Sequence, residues 1–269
     1  QDKKAEIAKK WRCERARLKA KTDVKRKYSK LELPNIEYEL DGEKGNAKFK
    51  VLVNGERPIV NLTIDTPNAD IDSYLSDGFA AVAAQGSTSW LQLLGSFVEE
   101  QVKRDLRLTL NAGVMKLNGV EANDVALDIE TTVQGFDLKA LEIGSVDGAK
   151  LSAAGVVLST VEGPDGEIAA TVTADDPRGL LHLIGVLPRD RDPVWTTSLG
   201  KTDLKINLKA KPSTTDPETG FSINGTMGGF TITSDGSIVP AIDLIGTAIN
   251  GSAEISSTSS AALVNLYGG

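Results

Sequence analysis

The sequence predicts a mainly β protein, in which a long meander of antiparallel strands is interrupted by a few short helices. Apolar and polar residues alternate over most of the chain from residue 31 onward, as they do in strands with one dry face and one wet face. Asp-Gly and Asn-Gly pairs, which favour tight hairpin turns, recur along the same region. The chain also holds 26 glycines and only 5% aromatic residues, so it offers many turn positions and no aromatic-rich core.

The alternation marks individual strands. The segment IEYEL places Ile36, Tyr38 and Leu40 on one face, with Glu37 and Glu39 on the other. The same period of two recurs in AKFKVLV, VNLTI, LRLTL, VALDI, LKINL and FSING. A strand with one apolar side needs something to cover that side. The sequence therefore predicts a sheet with one dry face, covered by curvature of the sheet or by a ligand.

Nine dipeptides mark candidate turns. Asp-Gly pairs begin at residues 41, 77, 147, 165 and 235, and Asn-Gly pairs begin at residues 54, 118, 224 and 250. Such pairs adopt the positive φ angles that two-residue hairpin turns require. We expect them to connect neighbouring strands, except that the pair at residue 77 is expected to end a helix.

Three segments predict short helices. Two of them are DIDSYLSDG, at residues 70–78, and STSWLQLLGSFVEEQVKRD, at residues 87–105, which is the longest. The third is DDPRGLLHLIG, in which Asp176 can cap the helix, Pro177 fits the first helical position and Gly185 can end it. The apolar face of this third helix is predicted to consist of Leu180, Leu181, Leu183 and Ile184.

The third helix also looks like a cluster of reactive groups, because it holds two acids, an arginine and the only histidine of the chain. Internal repetition favours a structural role. Shifted by 83 residues, TADDPRGLLHLIG lies over SSTSSAALVNLYG, so that Asp176 matches Ser259, another good cap, and His182 matches Asn265. A second echo, at 98 residues, places DLRLTLNA over DLKINLKA. The sequence therefore predicts a quasi-repeat that a helix closes, with no function for His182.

Charge divides the chain into two parts. Residues 1–30 hold 13 Lys or Arg and 4 acids, whereas the remaining 239 residues hold 17 and 33. We predict a basic helical or flexible segment at residues 1–30 and one repetitive β domain at residues 31–269. A basic arm is a candidate contact for nucleic acid or an anionic membrane, but its apolar residues are raggedly spaced, which favours a solvated segment. We expect no nucleic-acid partner.

The residue inventory excludes several classes of site. One cysteine, Cys13, and one histidine, His182, exclude a disulfide framework, a cysteine metal cluster and a multi-histidine metal site. The sequence contains no Walker loop, no GxSxG and no HExxH motif. We therefore expect no enzyme activity, no catalytic residues, no metal and no cofactor. A hydrolase acting on an envelope polymer would need a carboxylate pair that only the fold could bring together.

Two longer passages carry a family resemblance. DLRLTLNAGVMKLNGVEANDVALDIET, followed by LKALEIGSVDGAKLSAAGVVLS, resembles the C-terminal repeats of AsmA-like envelope proteins of Gram-negative bacteria, a repeat style shared by the relatives TamB and YhdP. LTIDTPNADIDSYLSD looks like a related passage of the family. The DPxxLLxLxG helix of the family is matched here by Asp176, Pro177, Leu180, Leu181, Leu183 and Gly185. The resemblance covers about residues 31–269 and leaves residues 1–30 outside it.

The resemblance implies an elongated, twisted antiparallel sheet that forms a curved, taco-like groove. Such a groove is implied to carry phospholipid acyl chains between the inner and outer membranes, in support of outer-membrane biogenesis. The expected location is the periplasm, within a protein anchored in the inner membrane that also meets envelope protein partners. The alternative is a structural or assembly scaffold of the envelope whose interior is filled and conducts no lipid. Candidate groove residues are Val125, Leu127, Ile129, Leu204, Ile206, Leu208, Phe221 and Ile223.

Overall fold

The computed structural model describes most of the β region and short parts of its connections. These residues are 18–22, 25–27, 29–40, 42–53, 57–72, 105–117, 119–183, 187, 193, 196, 199–212, 218–239 and 248–257. Among them lies one helix, α1 (Arg178–Leu183), between β10 and β11. The strands are β1 (Leu18–Thr22), β2 (Lys25–Lys27), β3 (Lys30–Leu40), β4 (Glu43–Leu52), β5 (Ile59–Asp70), β6 (Asp105–Leu117), β7 (Val120–Thr132), β8 (Gly135–Val146), β9 (Ala149–Thr160), β10 (Gly163–Ala174), β11 (Thr202–Lys211), β12 (Glu218–Met227), β13 (Phe230–Val239) and β14 (Ala248–Ser256).

All fourteen strands belong to one sheet that does not close on itself. The order runs β1-β3-β4 and then in sequence to β14, with β2 beside β3. Register shifts between β3 and β4, between β7 and β8, and between β8 and β9 mark bulges, which bend and twist a sheet. On one face, α1 packs against β7, β8 and β9. The predicted class, a mainly β chain with an open, curved sheet and little helix, is confirmed.

One strand pair departs from the predicted antiparallel meander. β5 and β6 are parallel, with Ile59 opposite Asp105 and Asp70 opposite Lys116. Parallel neighbours need a long crossover, because the chain must return to the end of the sheet where the first strand began. Residues 71–104 make that return.

Two predicted helices fall largely in this crossover. The first residue of the predicted helix 70–78, Asp70, is the last residue of β5. Residues 73–78 of that helix lie outside the described residues. Asp105 begins β6, and the remainder of the predicted helix 87–105 also lies outside them.

The sheet begins earlier than the predicted domain boundary at residue 30. β1 pairs antiparallel with β3, so that Leu18 lies opposite Leu40 and Thr22 lies opposite Ile36. β2 forms a short hairpin ladder with the start of β3. Residues 18–22 and 25–27 are therefore strands and not a helical or flexible segment. The irregular spacing of apolar residues in this segment does not prevent strand formation, because the hydrogen bonds between paired strands join backbone groups.

Some of the predicted turn pairs form turns. Asp147 and Gly148 connect β8 to β9 with φ angles of 49° and 86°, as a two-residue hairpin turn requires. Gly42 and Gly119 have φ angles of 92° and 74° in the turns before β4 and β7. The pairs at residues 54 and 77 lie outside the described residues.

The other four pairs, at residues 165, 224, 235 and 250, lie inside strands, so the prediction of turns there is wrong. Their glycines allow neighbouring backbones to approach closely instead. A Cβ placed on Gly225 would lie 2.0 Å from the carbonyl oxygen of Asp203 on the adjacent strand. The turn between β12 and β13 consists of Gly228 and Gly229, which belong to none of the Asp-Gly or Asn-Gly pairs.

Helix α1 has the predicted N-terminal cap. Asp176 Oδ1 accepts a hydrogen bond from the backbone N–H of Arg178 at 3.0 Å, and the Leu181 N–H donates to the Pro177 carbonyl oxygen at 3.1 Å. Leu180 and Leu183 are buried, whereas Leu181 is only half-buried. Residues three apart share a helix face, and Leu181 is turned by about 100° from Leu180. Ile184 and Gly185 lie outside the described residues.

The helix sits directly on the β8–β9 turn. A Cβ placed on Gly179 would lie 2.7 Å from the Cβ of Asp147, so only glycine permits this approach. The buried core of the sheet gathers at the same end, around α1. Its members are Ala112, Ala122, Val125, Ile143, Val146, Ala149, Val172, Ala174, Leu180 and Leu183. We call this end of the sheet the helix end and the opposite one the far end.

Candidate functional site

One face of the sheet is apolar across almost its whole breadth. Residues directly opposite one another on neighbouring strands point to the same face, so their partners trace rows across the sheet. A central row crosses twelve strands from β3 to β14 with one polar member, Ser234. It consists of Ile36, Ala47, Ile64, Leu110, Leu127, Leu141, Ala153, Ala170, Ile206, Ile223, Ser234 and Ala253.

Two further rows run beside the central row on the side of the far end. The nearer one contains no polar side chain and consists of Leu33, Phe49, Leu62, Leu108, Ile129, Leu138, Gly155, Ile168, Leu208, Phe221, Gly236 and Gly251. The outer one runs from Leu31 in β3 to Ile238 in β13, and its polar members are Thr131 and Thr219. None of the three rows holds a charged residue. We call this surface the apolar face.

Bulges keep the apolar face continuous. The pairing of β8 with β9 steps from Leu138 to Leu141, and that of β3 with β4 steps from Leu33 to Ile36. A three-residue step along a regular strand would send the second side chain to the opposite face. The extra residue of a bulge restores the facing. An odd spacing between apolar residues is therefore the signal, present in the sequence, that reading by strict alternation missed.

The eight predicted groove residues all point to the side of the sheet that carries the apolar face, and they lie on three strands. Val125, Leu127 and Ile129 belong to β7, and Leu204, Ile206 and Leu208 to β11; Phe221 and Ile223 lie in β12 opposite Leu208 and Ile206. Their exposure differs widely. Val125 and Ile129 are 3% and 4% exposed, whereas Leu208 is 37% exposed. Val125 and Ile129 are packed core, Leu208 is exposed, and the other five positions are half-buried.

Burial on the apolar face differs between strands. On β6 to β8 the face stays buried toward the far end, where Leu106, Ile129, Thr131 and Leu138 are at most 8% exposed. Along β11 it becomes accessible toward the far end: Thr202 is buried, Leu204 and Ile206 are half-buried and Leu208 is exposed. The apolar face is therefore a trough that the chain itself fills around β6 to β8 and leaves accessible toward the far end of β11.

The opposite face is polar and carries paired charges. Glu130 accepts from Arg107 at 2.8 Å and from Lys139 at 3.0 Å. Burial of the Glu130 carboxyl raises its pKa, but the hydrogen bonds from Lys139 and Arg107 outweigh burial, and the pKa is lowered. The bond to Glu130 raises the pKa of Lys139. Glu130 and Lys139 therefore stay charged at neutral pH, which suits a face turned to water.

Shallow depressions lie on this polar face. One of about 500 Å³ spans β8 to β12, and among its lining residues are Ser152, Thr171, Lys205 and Asn224. The Ser152 and Thr171 hydroxyls hydrogen-bond to each other at 2.7 Å. Hydroxyl, amide and ammonium groups of this kind are readily solvated, so the two faces of the sheet differ sharply in polarity.

The charged residues at the start of α1 have a structural role. The ion pair with Arg178 and the capping hydrogen bond from its N–H lower the pKa of Asp176. The carboxylate is therefore ionised and is engaged by Arg178. Within the described ranges, no three His, Cys, Asp or Glu side chains are grouped as a metal site would require. No described helix is both long and apolar enough to cross a membrane.

Comparison with protein-family models, with curated proteins and with solved structures found no match to this chain. The resemblance to AsmA-like proteins therefore stays a prediction.

Proposed function

We propose that this chain binds phospholipid acyl chains on its apolar face and carries them between the inner and outer membranes of a Gram-negative envelope. One observation carries the proposal: rows of uncharged, mainly aliphatic side chains that continue across twelve strands of a sheet that does not close. An apolar sheet face must be covered. Acyl chains cover it without needing any directional contact.

The dimensions and the energetics suit such a ligand. With neighbouring strands about 4.8 Å apart, a row across twelve strands runs for about 50 Å. Transfer of an acyl chain from water to an apolar surface gains about 0.8 kcal/mol for each methylene group that is buried. A lipid would therefore bind tightly wherever the rows are accessible, and it could move between such positions without crossing a charged side chain.

The polar face supports the same reading. Its ion pairs and hydroxyl groups stay in water while the apolar face holds the acyl chains. A lipid headgroup would project over the rim of the trough into solvent, so the proposed transport needs no specific headgroup site. The location in the periplasm, the link to an inner-membrane anchor and the role in outer-membrane biogenesis belong to this proposal.

Photo-crosslinking to lipid tests the proposal. A photoreactive residue at Ile206, on the apolar face, is compared with one at Lys205, its neighbour on the polar face, in chain produced in a Gram-negative host. We expect phospholipid adducts at position 206 and few at position 205, together with phospholipid in mass spectra of extracts of the purified chain. Equal crosslinking at both positions, or no phospholipid in the extracts, would contradict the proposal.

A scaffold without lipid is the second candidate, and the packing at the helix end favours it. There Val125, Ile143, Leu180 and Leu183 are each at most 5% exposed, so that part of the trough is filled by the chain itself. If the filled part is the functional one, the crosslinks from position 206 go to protein and not to lipid.

A further inference from the structure

Two neighbouring hairpins at the far end have turn sequences that differ at one position. Thr132-Val133-Gln134-Gly135 connects β7 to β8, and Thr160-Val161-Glu162-Gly163 connects β9 to β10. In both turns the threonine hydroxyl accepts a hydrogen bond from the backbone N–H two residues later. Gln134 donates to Thr132 Oγ1 at 3.0 Å, and Glu162 donates to Thr160 Oγ1 at 3.2 Å. The final glycines have positive φ angles of 141° and 115°. The two turns are thus built alike.

The turns lie side by side at the edge of the trough. The N–H of Ser159 donates to the carbonyl oxygen of Gln134 at 2.8 Å, which ties the end of β9 to the first turn. Phe136 and Val157, in the outer apolar row, lie directly below them. The apolar face therefore ends at these two turns.

Each turn presents its valine to solvent. Val133 is 64% exposed and Val161 is 97% exposed, and Leu158 beside them is 48% exposed. Valine is an unfavourable choice for a tight turn, where Gly, Asn and Asp supply the backbone conformation. The β8–β9 turn at the helix end has the expected Asp147 and Gly148. Local folding does not explain an exposed valine in each of the two turns, so their exposure points to a contact.

We propose that Val133 and Val161, which we call the valine tips, insert into the interfacial region of a zwitterionic lipid bilayer and set the far end of the apolar face against it. The inference rests on the proposed function, because a membrane contact at this place would load or unload acyl chains across the far-end edge of the apolar face, midway along its rows. The helix end, stopped by α1, would then face away from that membrane.

Size and charge favour a bilayer over a protein partner. Two valines on two narrow turns offer far less surface than the roughly 1,000 Å² that a specific protein interface needs. Projecting apolar side chains on rigid turns can enter a bilayer without a complementary partner surface. The two turns contain no cation, and Glu162 is exposed, so an anionic membrane would gain nothing from them.

Vesicle flotation tests the inference. The chain carrying Val133→Ser with Val161→Ser is compared with wild type on phosphatidylcholine vesicles, with Val156→Ser as the matched control, since Val156 is 41% exposed but lies on the polar face. We expect the double substitution to weaken vesicle binding at least about tenfold and the control to leave it unchanged. Anionic lipid in the vesicles should not strengthen the binding.

Parallel measurements separate this inference from the proposed function. Lost flotation with unchanged co-purified lipid supports the valine tips as the membrane contact. A chain that holds no lipid, yet floats through its valines, contradicts the proposed transport and leaves the contact standing. Wild type that does not float, or a double variant that floats equally well, overturns the inference. Dimers in sedimentation that the substitutions dissolve, without flotation, would also overturn it and identify a second copy as the partner.

Discussion

At the residue scale, the charges of the segment DDPRGLLHLIG serve the start of a helix. Asp176 caps α1 through the Arg178 N–H and pairs with the Arg178 side chain. A capping acid satisfies backbone donors that have no partner within the helix, and its negative charge suits the positive end of the helix dipole. The sequence echo, in which Ser259 replaces Asp176, agrees with this role because serine is an equally good cap.

Substitution of Asp176 tests the cap and its dependence on pH. At neutral pH we expect Asp176→Ala to lower the free energy of unfolding by about 1 kcal/mol. Folding lowers the pKa of Asp176 below its ordinary value of 3.8, so the carboxylate stabilises the fold above that value. This contribution is lost as pH falls through the lowered pKa. Urea titrations should therefore show the difference between variant and wild type shrinking in acid. Asp175→Ala is the matched control, and an equal loss there would contradict the cap.

At the element scale, α1 is held by the turn beneath it and by two leucines. Gly179 lets the first turn of the helix approach Asp147 in the β8–β9 turn. Leu180 and Leu183 then point into the core between β6 and β10. The helix is only six residues long, too short to be stable alone in water, so tertiary packing and not helix propensity maintains it.

Adjacent leucines of α1 should differ in their contribution to stability. We expect Leu180→Ala to cost about 3 kcal/mol, because Leu180 is 5% exposed and its loss leaves a cavity. Leu181→Ala should cost about 1 kcal/mol, because Leu181 is already half-accessible. Urea unfolding of both variants measures the difference. Equal losses would show that α1 is rotated relative to the sheet.

At the scale of the whole molecule, the described strands form a single sheet with an apolar and a polar face. The helix end of the apolar face is packed by the chain itself, and the far end leaves Leu208 accessible. A single layer of this kind covers only part of its apolar area, unlike a sandwich in which two sheets cover each other. For this reason we propose that lipid covers the accessible part of the apolar face.

A charge in the open part of the apolar face should interrupt lipid binding while the fold survives. We expect Leu208→Asp to reduce the phospholipid that co-purifies with the chain about tenfold, with little change in Tm, because Leu208 is 37% exposed. Lys209→Asp, one residue along β11 and on the polar face, is the control. Unchanged lipid content in the Leu208 variant would exclude this part of the face as a lipid path.

Local patterns in the sequence predict much of this architecture. The alternation of IEYEL or LKINL, the cap at Asp176 and the turn at Asp147-Gly148 depend on residues close together in the chain, so they can be read without the fold. The eight groove candidates also came from alternation, and they share one face because facing in a strand repeats every two residues.

Pairing between distant residues decided the rest. The parallel contact of β5 with β6, the recruitment of β1 into the sheet and the bulge that keeps Leu138 and Leu141 on one face depend on hydrogen bonds between separate strands. So does the presence of Asn224-Gly225 inside a strand, where close backbone approach and not turn geometry requires the glycine. By itself the sequence determined that each strand has a dry side. Only the tertiary structure decided that these sides join into continuous rows, since register is set by partners far away along the chain.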